Sequence, residues 1–125
     1  MKVGQILIIG TDDLLLGEIN IYFKSVGSKY HVDIATNVRE GINKIDKESY
    51  DLIIIELDSS AIKENELLSA IKERVNRIPN IIVIKGEDEN IESENWMEMD
   101  KVICILPRNN VINNLYKIIE INFRN

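Results

Sequence analysis

Residues 50–60 read Tyr50-Asp51-Leu52-Ile53-Ile54-Ile55-Glu56-Leu57-Asp58-Ser59-Ser60 (YDLIIIELDSS), with an unbroken apolar run from Leu52 to Ile55. A strand with one face in water alternates polar and apolar side chains. A run that does not alternate is covered on both faces, as in a parallel sheet between two helical layers. Three runs of the same kind lie to either side: Ile6-Leu7-Ile8-Ile9, Ile81-Ile82-Val83-Ile84 and Val102-Ile103-Cys104-Ile105. Val32-Asp33-Ile34-Ala35 is a fifth, weaker strand.

Between the strands the apolar period lengthens to that of a helix. Asp12 or Asp13 can cap a helix whose stripe is Leu15, Ile19, Tyr22, Phe23 and Val26, ended by Gly27. Asn37 caps a second, carrying Val38, Ile42 and Ile45. A third is expected from Lys63 to Asn76, with Leu67, Leu68, Ile71 and Val75 inward and Pro79 beyond its end. The segment from Ile91 to Met99 is the poorest helix, acidic, with Ile91, Trp96, Met97 and Met99 as its large apolar groups. The last helix starts after Pro107, capped by Asn109 or Asn110, and buries Val111, Leu115, Ile118 and Ile119. A strand and a helix thus alternate five times. Right-handed crossovers place helices on both faces of one sheet. The expected class is α/β, a flavodoxin-like (βα)5 domain over residues 1–125, doubly wound around a five-stranded parallel sheet.

Composition narrows the function. The 125 residues are 45% hydrophobic and 29% charged, with a net charge of −6 and a pI of about 4.8. This is a globular composition without a basic cluster, which argues against nucleic-acid binding by this domain. The single cysteine, Cys104, lies in an apolar run and reads as a core thiol in a reducing compartment. The opening MKVGQILIIG is too short for a secretory core, and no run reaches membrane-spanning length, so the cytoplasm is the expected location. There is no G-x-G-x-x-G after the first strand, no P-loop, no nucleophile elbow and no zinc-ligand spacing. A flavin site would need a Ser/Thr/Gly-rich first loop that this chain lacks. His31 has no partner at a catalytic spacing, and the acidic stretch from Glu87 to Glu98 reads as a solvated face.

In open α/β sheets the working site lies beyond the carboxyl ends of the strands, where strand order reverses. Five segments qualify: Gly10-Thr11-Asp12-Asp13, Ala35-Thr36-Asn37, Glu56-Leu57-Asp58-Ser59-Ser60, Lys85-Gly86-Glu87-Asp88 and Leu106-Pro107-Arg108. With QILIIGTDD, YDLIIIELDSS, NIIVIKG and VICILPRN in this order and spacing, the chain resembles the receiver domain of two-component response regulators over nearly its whole length. The resemblance implies a pocket in which acidic side chains hold Mg²⁺ and an aspartate ending the third strand takes a phosphoryl group from a histidine kinase. A hydroxyl after the fourth strand and a lysine after the fifth offset the charge of the transfer.

Residue by residue, the chain departs from that pattern. Glu56 stands at the phosphoacceptor position. Gly10 and Thr11 stand where the acidic pair belongs, with Asp12 and Asp13 displaced toward the helix. Lys85 replaces the hydroxyl, Leu106 the lysine before Pro107, and Ile103 the aromatic switch residue. Asp58 matches a position that gives the metal a backbone carbonyl. Capping accounts for Asp12 and Asp13, which are weak metal candidates. These departures imply a degenerate receiver: a non-enzymatic, phosphorelay-type signalling module acting by protein–protein interaction, without a cofactor. Its partner would be a kinase, an output domain or a second copy, met through the face of the fourth and fifth units. Gaining Lys85 while losing a lysine suggests that Lys85 pairs with Glu56. The alternatives are a working receiver that takes phosphoryl with Mg²⁺, and a flavodoxin-like enzyme or ligand-binding domain.

Overall fold

The computed structural model describes residues 4–26, 30–57, 64–74, 79–85, 101–109 and 111–123. In chain order these form β1 (Gly4–Ile9), α1 (Asp13–Ser25), β2 (Tyr30–Ala35), α2 (Val38–Lys47), β3 (Leu52–Leu57), α3 (Glu64–Arg74), β4 (Asn80–Lys85), β5 (Val102–Pro107) and α4 (Val111–Phe123). All five strands are parallel, in the order β2-β1-β3-β4-β5. The expected α/β fold is therefore the one observed, with four helices among the described residues. The helical pattern of residues 91–99, Trp96 included, lies outside them, as do Gly27, Val75 and Asn110.

Strand periodicity sorts the core into two layers. Leu7, Ile9, Ile53, Ile55, Ile81 and Val83 face Ile42 and Ile45 of α2 and Leu67, Leu68, Ala70 and Ile71 of α3. Ile6, Ile8, Leu52, Ile54, Ile82 and Ile84 face Leu15, Leu16, Ile19, Tyr22 and Phe23 of α1 and Val111, Leu115 and Ile119 of α4. Burial of each such Ile or Leu side chain contributes about 1.5–3 kcal/mol, which is why β3 carries no polar residue before Glu56. The caps follow the sequence. Asp12 Oδ1 accepts the N–H groups of Leu14 and Leu15 at 3.1 and 3.2 Å, and Asn37 Oδ1 accepts that of Glu40 at 2.8 Å. Each satisfies donors that a helix start leaves orphaned.

All five strands run one or two residues beyond the expected apolar runs. β2 begins at Tyr30, where the ring packs edge-on to Phe23 with centroids 5.3 Å apart. β5 continues to Pro107, because at the sheet edge a residue without N–H removes no ladder bond. β5 also carries a bulge. Ile81 pairs with Val102 but Ile82 pairs with Cys104, so Ile103 is an extra residue. Ile103 and Cys104 accordingly both pack toward the α1/α4 layer, and beyond them the alternation is displaced by one.

Candidate functional site

The reversal of strand order falls between β1 and β3, so the loop after β1 and the last residues of β3 share one crevice. Glu56 is on the same strand parity as Ile54 and points into the α1/α4 layer. Its side chain is 1% exposed, and it is the buried charged residue among those described. A buried carboxylate is costly unless its charge is met by donors, and here both oxygens are met. Oε1 accepts the backbone N–H groups of Thr11 at 2.7 Å and Asp12 at 3.0 Å. Oε2 accepts from Nη2 of Arg108 at 2.5 Å.

Each partner is placed by a local feature. Gly10 donates its N–H to the Ala35 carbonyl at 3.0 Å, which extends β1 toward β2 and aims the next two amides at β3. A Cβ on Gly10 would lie 2.6 Å from Glu56 Oε1 and 2.9 Å from Glu56 Cβ. Glycine is therefore the residue that leaves room for the carboxylate. Asp12 then turns its own side chain to cap α1, and its Oδ2 lies 3.8 Å from Arg108 Nη1. Arg108 follows Pro107, and its backbone N–H donates to the Lys85 carbonyl at 2.9 Å. Its Nε is buried with no hydrogen-bond partner, although the side chain as a whole is 37% exposed.

Of the residues singled out from sequence, Gly10, Thr11, Asp12 and Glu56 meet in this crevice. Leu106 is buried on the same layer, while Pro107 and Asp13 are exposed. Ile103 is half-buried at the bulge, toward the α1/α4 layer. Asp58 lies outside the described residues. The expected Lys85–Glu56 pair is corrected: the cation on Glu56 is Arg108. Glu56 is in register with Ile84, and Lys85, one residue further, has the opposite parity. Arg108 was legible only as one of two cations in the five strand-end segments; nothing in the sequence preferred it over Lys85.

Among the described residues the donor set does not suit Mg²⁺, which needs oxygen ligands in near-octahedral array. Gly10 and Thr11 bring no carboxylate, Asp12 Oδ1 caps a helix, and a guanidinium already sits on Glu56. Among the described residues no three His, Cys, Asp or Glu side chains converge as a metal site. Elsewhere, Cys104, expected in the core, is half-buried against the α1/α4 layer, and burial raises the pKa of its thiol. The Tyr50 hydroxyl donates to Asp33 Oδ2 at 2.7 Å, and His31 Nε2 lies 3.4 Å from Asp33 Oδ1. This polar set ties the approach to β3 to the edge strand β2. Among the described residues no helix is long and apolar enough to cross a membrane.

The architecture is that of solved receiver domains. A response regulator receiver domain protein from Methanospirillum hungatei matches with a TM-score of 0.78 at 22% identity, over 95% of this chain and 92% of that one. A response regulator receiver protein from Pseudomonas putida gives 0.82 at 16% identity, over 98% and 99% of the two chains. The receiver domain of a sensor histidine kinase from Pseudomonas aeruginosa, solved with a magnesium ion coordinated in its active site cleft, gives 0.72 at 16% identity, over 94% of each chain. No protein-family model matches the sequence, and no curated protein does. At these identities the likeness establishes the fold, and the chemistry rests on the residues themselves.

Proposed function

We propose that this chain is a receiver-like signalling module that works by protein–protein contact and is held in one state by an internal ion pair instead of by phosphorylation. The observation that carries this reading is the internal pairing of Glu56. Two backbone amides hold one oxygen and Arg108 holds the other, so the carboxylate at the acceptor position already has its charge met from within the chain. Phosphoryl transfer would also need a cation to offset the charge that develops, and the cation here is committed to Glu56. Its partner is a protein: a kinase, an output domain or a second copy. Among the described residues the large apolar side chains left in water are Leu14 at 81% and Ile21 at 67% on α1 and Tyr116 at 54% on α4.

The test is incubation of the protein with a small phosphodonor and Mg²⁺, followed by intact-mass measurement. The expected result is an unchanged mass. A phosphate adduct, above all one removed by Asp58→Ala, would replace this reading with that of a working receiver.

A further inference from the structure

Three described donors in the crevice, the amides of Thr11 and Asp12 and Nη2 of Arg108, converge on one carboxylate. The amides of Thr11 and Asp12 stand at the head of the thirteen-residue helix α1, where the macrodipole adds partial positive charge. Arg108 closes the other side through Nη2, with its Nε buried and unpartnered alongside. Gly10 supplies the hollow, since a Cβ there would sit on Glu56 Oε1. The pocket thus has the polarity of an anion site, the reverse of a cation-binding acidic cluster.

We infer that the crevice is an oxyanion cradle whose ligand is the tethered carboxylate of Glu56, and that it takes a free small carboxylate of acetate size once the tether is cut. Glu56→Ala removes a methylene and a carboxylate, the atoms that acetate restores one for one. In the native chain the cradle is filled in cis, which closes it to free anions. This rests on the proposed reading only in naming what holds the site in one state, and its test does not involve phosphorylation.

The experiment compares unfolding of the full chain in sodium acetate and in sodium chloride at equal ionic strength. Acetate is expected to stabilise Glu56→Ala saturably, by roughly tenfold in the folded-to-unfolded ratio at about ten times its Kd. Wild type and Glu56→Gln, whose cradles remain filled, should respond to the two salts alike. The acetate gain should vanish in Glu56→Ala/Arg108→Ala. Should Glu56→Ala be unfolded in chloride, recovery of its circular dichroism by acetate becomes the readout. The inference is overturned if acetate does no more than chloride for Glu56→Ala, folded or unfolded, if wild type gains equally, or if the gain survives loss of Arg108. A phosphate adduct on wild type would sink the signalling reading and leave the acetate result standing, so the two failures are distinct.

Discussion

Removal of Arg108 should be far more damaging than its position at a strand end suggests. Arg108→Ala strips the guanidinium 2.5 Å from Glu56 and leaves a carboxylate whose side chain is 1% exposed. Loss of one partner of a fully buried pair costs about 3–5 kcal/mol, whereas exposed pairs are worth about 0–1 kcal/mol. Glu56 is buried but Arg108 is 37% exposed, so water screens one side of the pair. Glu56 also keeps its two amide donors in the variant. These facts place the cost between the two limits, at about 2 kcal/mol. At about 2.1 cal/mol/K per residue of unfolding entropy, that lowers Tm by roughly 8 °C for a chain of this length. Glu56→Gln should cost less, about 1 kcal/mol, because the arginine it releases can hydrate. The double variant should then be less destabilised than the sum of the two, with a coupling of at least about 1 kcal/mol in a urea-denaturation cycle. A cost for Arg108→Ala below about 0.5 kcal/mol, or strict additivity, would refute the assignment of Arg108 as the counter-charge.

The hollow at Gly10 gives a second prediction: Gly10→Ala should cost about 1–3 kcal/mol through overpacking against Glu56, measured by denaturant unfolding. Gly17, in the interior of α1 with nothing within 4 Å of a built Cβ, is its control, and Gly17→Ala should stabilise by about 0.5–1 kcal/mol. Asp12→Ala removes the cap of α1 and should cost about 1 kcal/mol, whereas Asp13→Ala, at an exposed position, should cost only a few tenths. Tyr50 has its pKa raised above the ordinary tyrosine value, by burial first and then by its bond to Asp33. The fold favours the neutral phenol, so this stability is full below about pH 10 and is lost as pH rises beyond it. Tyr50→Phe should flatten that alkaline decline in a pH series of unfolding curves, leaving the share due to Tyr22, whose pKa burial also raises.

The elements were legible where the physics is local or symmetric. A strand buried on both faces needs apolar side chains at consecutive positions, so Leu52–Ile55 and Ile81–Ile84 announced themselves as central strands. Asp12 and Asn37 sit one residue before their helices because a cap acts on amides two or three residues away. The same apolarity that reveals a central strand hides which face each residue takes. Lys85 and Glu56 end neighbouring strands and looked like partners, yet pairing in a sheet depends on register as well as adjacency. Glu56 faces the α1/α4 layer with Ile84, and Lys85 takes the other parity. The amides that hold Glu56 were invisible for another reason, since a backbone donor leaves no mark in a sequence.

Arg108 reaches Glu56 because of one extra residue on the neighbouring edge strand. If β5 paired with β4 without interruption from Ile81 and Val102 onward, Ile84 would stand opposite Ile105, and both Leu106 and Arg108 would take the parity of the α2/α3 layer. The bulge at Ile103 shifts the ladder so that Ile84 meets Leu106. Leu106 then buries in the α1/α4 layer, and Arg108, two residues on, emerges on the side where Glu56 lies. The position that resemblance assigns to an aromatic switch thus has a different consequence in this chain. An isoleucine there packs, half-buried, against the α1/α4 layer, and the bulge around it sets the face on which the cation arrives. The carboxylate at the end of β3, the glycine that makes room for it and the bulge that delivers its counter-charge are three separate local features. All three contribute to the geometry of the pair, and this convergence is the ground on which we propose a closed cradle at the end of β3.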